Sequence, residues 1–231
     1  MIKYHFITFA TDNYLKYATD LANSAINNAN FDYIKIFTEK DIDKFFLHKN
    51  KHIFDCKRGY GYWIWKSYII NKYLSIIDNN DDYICYCDSM YLFSGKIKIQ
   101  EITNTYKRDI IITHNKPNQN KYIEKNFTKG DAFFLLNALD DKYCNTYQAW
   151  AGFMILKKTD FTLKLIEEWL LYMQDIRIID DYHMNNYHSN YIGFIENRHD
   201  QSVFSLIAKK NNIEFIDFPN NFLIDLRNNI S

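Results

Sequence analysis

The first 37 residues read as strand, helix, strand, and that order limits the fold more than any other feature of the chain. Residues 3–10 (KYHFITFA) form an extended run apolar enough for the middle of a sheet. Residues 14–27 carry Leu15, Ala18, Leu21, Ala22 and Ala25 at helical spacing, with Asn13 as the expected N-cap. Residues 32–37 (DYIKIF) give a second strand. Parallel strands need a crossover of this kind between them, so a β-α-β opening points to an α/β protein with parallel pairing at its centre.

The remainder extends the same alternation. Residues 41–47 read as a short helix. Arg58-Gly59-Tyr60-Gly61 is a flexible turn that opens a helix over 62–77. After a polar turn at 78–81, residues 82–87 (DYICYC) form a third strand that ends on Asp88. Residues 90–93 suggest a short pairing strand, 110–113 another strand, 128–136 a helix and 150–157 a strand. A helix follows over 159–172, with Thr159 as N-cap and Phe161, Leu165, Trp169 and Tyr172 on one stripe. Residues 200–210 form a further helix and 213–216 a late strand. No linker or internal repeat interrupts the chain. A length of 231 residues buries a core without disulfide or metal staples, so one mixed α/β domain is expected.

Charge and composition exclude several classes. Lys and Arg total 28 against 28 Asp and Glu, without the basic excess of a general nucleic-acid binder. The 19 Tyr and 18 Phe accompany many Asn, Ile and Lys, as AT-rich codons would produce, so the aromatics alone do not argue for a carbohydrate surface. Cys85 and Cys87 sit two apart on a strand and share a face; with Cys56 and Cys144 they read as reduced thiols of a cytoplasmic protein. The apolar start is short and broken by His5 and Thr8, unlike a signal peptide. No run approaches the roughly 20 apolar residues of a membrane span.

Ligands of open α/β sheets bind at the carboxyl ends of the strands. That singles out residues 8–13 and Asp88. Asp88 either caps the next turn or offers an oxygen ligand to Mg²⁺ or Mn²⁺. Lys66, inside the aromatic run YWIWKSYII, either snorkels to water or faces an anion. Gly59 and Gly61 before it permit close backbone approach. Arg198-His199-Asp200-Gln201-Ser202 sets a titratable base, a carboxylate and an amide at one helix start; Asp200 would also serve there as N-cap. His183 and His188 read as surface residues. Walker A, G-x-G-x-x-G, G-x-S-x-G and H-E-x-x-H patterns do not occur.

Taken in order, FITFATDNY, RGYGYWIWKSYII, DYICYCDSMYLF, FTKGDAFFLL, QAWAGFMILKKT and ENRHDQSVFSLIAKK resemble the small GT-A-fold glycosyltransferases. The likeness is greatest to family-8-like enzymes of the glycogenin and bacterial galactosyltransferase kind, and to related enzymes of capsule loci and large DNA viruses. It runs from about residue 4 to 210. It implies a single GT-A (Rossmann-like) domain with a mixed, mostly parallel sheet flanked by helices. The nucleotide-binding half would be about 1–95 and the sugar and acceptor half about 96–231. It also implies transfer of a sugar, most simply from a UDP-sugar, to a hydroxyl of a glycan or glycoprotein.

Matched position by position, Thr8, Ala10 and Thr11, with Asn13 or Tyr14, would line the nucleoside pocket. Lys66 would contact the sugar nucleotide. Asp88, followed by Ser89, matches the first Asp of the D-x-D metal motif. Gln148 and Gly152 would shape the sugar and acceptor cleft. Asp200 and Gln201 would lie against the donor sugar as the catalytic pair, with Asp131 a second choice should a base be required. The sequence departs from the pattern at Met90, a thioether where the motif has its second Asp and a poor ligand for a hard cation. Mn²⁺ or Mg²⁺ is still implied, on Asp88 and, as a substitute ligand, His199. Residues 115–126 and 176–197 would carry acceptor specificity as lids. The competing expectations are a non-catalytic nucleotide-sugar or glycan-binding domain, which Met90 favours, and a nucleotidyltransferase, whose usual Gly-rich loop is missing from residues 8–14.

Overall fold

The computed structural model describes residues 1–114, 122–182, 186–217, 219 and 221–229. Part of each expected lid, and His183, therefore lies outside the described residues. Seven strands are present among those described: β1 (Tyr4–Phe9), β2 (Tyr33–Phe37), β3 (Tyr83–Cys87), β4 (Tyr91–Phe93), β5 (Ile110–His114), β6 (Ala149–Lys157) and β7 (Leu223–Asp225). The main sheet runs β2-β1-β3-β6-β5, and β4 pairs with β7 in a small second sheet. β1 lies parallel to both β2 and β3, while β6 is antiparallel to both β3 and β5. Four of the five main strands thus point one way, which is the mixed, mostly parallel sheet expected.

The period of two sorts each strand onto two cores. Ile7, Ile84, Tyr86, Ile112, Met154 and Leu156 face one cluster. There they meet the helices Ile64–Ile76, Asp160–Tyr172 and Asp200–Lys210. Phe6, Cys85, Cys87, Ile111, Phe153 and Ile155 face the other, closed by the helices Leu15–Ser24 and Ile99–Tyr106 and by the β4–β7 ribbon. Cys85 and Cys87 do share a face. The thiols of Cys85, Cys87 and Cys144 are buried, and all four described cysteines are free.

Several boundaries differ from the sequence expectation, each for a local reason. Asn13 does not cap the first helix. Residues Asp12–Tyr14 close a 3-10 turn through Tyr14 N and Thr11 O (2.8 Å), and this turns Leu15 outward. The next helix starts later than its pattern because Asp43 Oδ1 accepts from Phe45 N and Phe46 N, fixing Lys44–Lys49. Thr159 does cap its helix, accepting from Thr162 N at 3.2 Å; Leu165 and Trp169 point inward, but Phe161 on the first turn faces water. The expected strand at 213–216 reduces to one bridge, in which Ile216 N donates to Ile112 O at 2.9 Å beside β5. Among the described residues no helix is long and apolar enough to cross a membrane.

One polar group lies deep in the fold and was not anticipated. Glu124 is fully buried, and its carboxylate accepts from Thr128 Oγ1 (2.5 Å), Gln148 Nε2 (2.9 Å), Ser205 Oγ and Lys209 Nζ (2.6 Å). Ser202, Ser205 and Lys209 make a polar stripe on the helix Asp200–Lys210, so the network fixes how that helix sits on β6. Breaking a buried ion pair from one side leaves the other charge uncompensated. Glu124→Ala is expected to cost about 3–5 kcal/mol in urea unfolding, and the double variant Glu124→Ala/Lys209→Met to cost less. Equal stability of Glu124→Ala and wild type would show that Lys209 does not depend on this partner.

Candidate functional site

The site begins with an unusual turn. Gly59, Tyr60, Gly61, Tyr62 and Trp63 all have positive φ, at 60°, 51°, 82°, 52° and 60°. Gly59 and Gly61 suit this backbone, and a Cβ at Gly59 would lie 2.4 Å from the Trp63 ring. Tyr60, Tyr62 and Trp63 hold it at a cost of about 1–2 kcal/mol each. Trp65 Nε1 donates to Gly59 O (2.9 Å), and Arg58 is tied to Asp181 (2.6 Å) and Glu196 (3.3 Å). The right-handed helix therefore starts at Ile64 rather than Tyr62, and Lys66 falls in its first turn, near the partial positive end of the helix dipole.

Lys66 does not snorkel. It is 3 % exposed, and its Nζ lies 2.6 Å from Asp200 Oδ2, 3.2 Å from Asp88 Oδ1 and 3.3 Å from Ala151 O. Burial pushes its pKa down, but the two carboxylates outweigh burial and raise it, so the ammonium stays charged. Asp200 Oδ2 makes no hydrogen bond of good angular geometry, so its contact with Lys66 is an ion pair more than a directed bond. Asp88 leaves β3 with its side chain about one-third exposed, and Tyr86, two residues earlier on the same face, donates its hydroxyl to Asp88 Oδ1 at 2.6 Å. Burial, then Asp88, raises the Tyr86 phenol far above its usual range, which keeps it a donor.

Gly152 makes the approach possible. Its carbonyl accepts from Asp88 N (2.9 Å), and a Cβ there would lie 2.4 Å from Trp150 Nε1 and 2.9 Å from Asp88 Oδ2. Gln201 Oε1 accepts from Ala151 N (3.3 Å), and Gln201 Nε2 donates to Gln148 Oε1 (2.6 Å). Lys66, Asp88, Gly152, Asp200, Gln201 and Gln148 are thus linked side by side, although Gln148 itself is enclosed in the Glu124 network. Ser89 follows Asp88 and is nearly buried.

The other expected residues have different surroundings. Thr8 is buried, and its Oγ1 donates to Cys87 O at 2.7 Å, joining the ends of β1 and β3 one residue before Asp88. Ala10 is buried beside β2, Thr11 lies on the 3-10 turn and Tyr14 is exposed. Asp131 accepts three backbone N–H groups, from residues 186 to 188. Burial would raise its pKa, but these donors lower it, so it acts as a loop clamp. His199 has φ 51° and ψ −114°, its ring stacks on Tyr62 and Trp63, and Nδ1 is 2.6 Å from Ile179 O. Burial pushes its pKa down to about 4, so the ring is neutral and donates from Nδ1.

A protein-held divalent ion finds little here. Asp88 Oδ1 is already engaged by Tyr86 and Lys66, which leaves Oδ2; Met90 offers only sulfur, and His199 donates Nδ1–H to Ile179 O, with its Nε2 3.5 Å from Asp181 Oδ1. Among the described residues no three His, Cys, Asp or Glu gather as a metal cluster. This donor set does not fit the D-x-D pattern. Tyr86 and Trp150 were missed from the sequence as site residues. The alternation of DYICYC puts Tyr86 on the face of Asp88, and that signal was available.

No family model and no curated protein sequence matches the chain. Solved structures do. The bifunctional glycosyltransferase WbbM, in its apo structure, superposes with a TM-score of 0.51 at 12% identity, over 89% of this chain and 37% of that one. Mouse xyloside xylosyltransferase 1 in its apo form gives 0.48 at 13% identity, over 94% and 85%. GlyE of Streptococcus pneumoniae gives 0.43 at 10%, over 90% and 43%. With the sheet order, the WbbM superposition shows a GT-A-like, Rossmann-like fold; it does not single out family 8.

The acid–base chemistry is testable. Burial pushes the Asp200 carboxyl up to about 6, with Lys66 pulling against it and Asp88 adding to the rise. Between its ordinary value near 3.9 and about 6, the native state binds a proton that the unfolded chain has lost. The stability from that proton is complete below about pH 4 and is lost as pH rises through 6, about 2–3 kcal/mol in all. Urea unfolding of wild type and Asp200→Asn across pH 4–7 should show this downward slope in wild type only. Parallel curves would mean that Asp200 titrates normally.

Proposed function

We propose that the chain transfers a glycosyl group from a nucleoside-diphosphate donor, of the UDP-sugar class, to a hydroxyl of a glycan or glycoprotein acceptor. The observation that carries this reading is the Lys66 ammonium held between Asp88 and Asp200 at the carboxyl edge of the sheet. Such a fold binds ligands at that edge. In this reading the bond between the anomeric carbon and the diphosphate oxygen breaks, and UDP leaves with the electron pair. The acceptor oxygen forms the new bond and loses its proton. The diphosphate gains negative charge as it departs, and a fixed ammonium in a buried site stabilises that charge without reorganising. Asp200 and Gln201 flank the donor sugar. Asp200, with its raised pKa, is the group best suited to take the acceptor's proton near neutral pH.

Met90 favours a second reading, a nucleotide-sugar-binding domain without turnover. Incubation with UDP-, GDP- and TDP-sugars separates the two. Release of the nucleoside diphosphate supports transfer or hydrolysis. A rise in melting temperature without release supports the binding domain. Neither signal from any donor would end both readings. If transfer is right, Asp88→Asn, assayed below its own melting temperature because Lys66 loses one of its two carboxylates, should lower turnover by about a hundredfold or more. Lys66→Met should weaken UDP binding by about tenfold in calorimetry. Unchanged UDP affinity in Lys66→Met would assign the lysine to stability alone.

A further inference from the structure

The Lys66 ammonium offsets only part of a diphosphate's charge, because two carboxylates face it. One ammonium faces two carboxylates, so the group is net negative when Asp200 is ionised and neutral when it is protonated. A diphosphate brought to that edge requires another positive group. With Asp88 Oδ1 engaged and Met90 offering sulfur, the side chains here hold a divalent ion only weakly, and a side-chain cation can add the charge.

The C-terminal segment brings one to the same edge. β7 pairs antiparallel with β4, Asp225 opposite Tyr91, and Leu226 N donates to Met90 O at 3.0 Å. These bonds fasten the segment to the turn that follows Asp88. Arg227 comes next. Its guanidinium lies 4.8 Å from the centre of the Tyr91 ring and bonds the Tyr91 hydroxyl. The Tyr91 ring meets Trp150 edge-on at 5.2 Å. Trp150 Nε1 and Asp88 Oδ2 each come within 3 Å of the point a Gly152 Cβ would fill. Asp88, Trp150, Tyr91 and Arg227 therefore form one continuous strip.

The guanidinium is oriented but not consumed. Asp225 accepts from its Nε (2.9 Å) and Nη2 (2.7 Å), fixing the plane of the fork. Among the described residues no bond to Nη1 is found, and the side chain is 56 % exposed. An arginine so held presents its remaining N–H groups in the planar geometry that suits phosphate oxygens.

We infer that Arg227 is a substrate-binding residue that receives phosphate oxygens of the donor's diphosphate, supplied to the site by the C-terminal segment. The inference rests on the proposed nucleotide-donor reading. Calorimetry with UDP, and ligand-observed NMR with uridine, on the full chain and on Arg227→Ala, Arg227→Lys and Asp225→Asn tests it. Arg227→Ala is expected to weaken UDP by about tenfold or more and to leave uridine unmoved. Arg227→Lys should recover part of the loss, and Asp225→Asn, which keeps one acceptor to orient the fork and removes the competing charge, should bind UDP within about threefold of wild type. If Arg227 only latches the segment to Tyr91, Arg227→Ala and Asp225→Asn will weaken UDP alike, and that result overturns the inference. So does unchanged UDP affinity in Arg227→Ala. Wild type that binds neither UDP nor uridine would overturn the nucleotide-donor reading first, and this inference with it.

Discussion

A buried ammonium is tolerated only where fixed negative charge faces it, and in this protein that requirement joins three distant parts of the chain. Lys66 belongs to the helix behind the sheet, Asp88 to the end of β3 and Asp200 to the start of a helix more than a hundred residues later. Removing either carboxylate would leave the lysine short of compensation in a place water does not reach. The ion pair therefore adds to packing in locating the start of the helix Asp200–Lys210 against the sheet edge. The Glu124–Lys209 pair serves the far end of the same helix. Between those two anchored ends, Gln201 on the helix reaches Gln148 just before β6.

Around this centre the backbone is strained. Five consecutive residues with positive φ lead into the Lys66 helix, and His199, just before Asp200, lies outside the usual regions altogether. Such geometry costs the non-glycine residues Tyr60, Tyr62, Trp63 and His199 about 1–3 kcal/mol each and persists only where packing over-determines it. Here the two strained stretches support each other, because the His199 ring stacks on Tyr62 and Trp63. Arg58 ties the first stretch to Asp181 and Glu196. Strain next to a paired lysine and carboxylate is the arrangement expected where a side chain has to be held at one position for a ligand.

Much of this was legible in order but not in distance. DYICYCD announced a buried strand ending in a carboxylate, YWIWKSYII a lysine on an apolar helix that either snorkels or faces an anion, and RHDQS a polar helix start. That Lys66 meets both acids was not readable, since nothing in the spacing of 66, 88 and 200 reports separation in space. His199 illustrates the converse. Its place beside Asp200 suggested a ligand, but a backbone at φ 51° turns its ring toward Ile179. The Glu124 network left one weak trace, the polar stripe of Ser202, Ser205 and Lys209 on a helix face otherwise buried. Residues 213–216 had strand composition, yet only Ile216 found a bonding partner beside β5.

The sequence by itself determined the elements and their faces. Periods of two and of 3.6 residues are local, and burial of the apolar side of each period selects an α/β sheet with helices on both sides. Only the tertiary structure decided which charges meet, because pairing energies fall off within a few ångströms and depend on contacts between residues far apart in the chain. The first strand, its helix and the β3 carboxylate follow from short-range pattern. The ammonium between two acids, and the arginine that the C-terminal segment carries to the same edge, exist only once the chain has closed on itself.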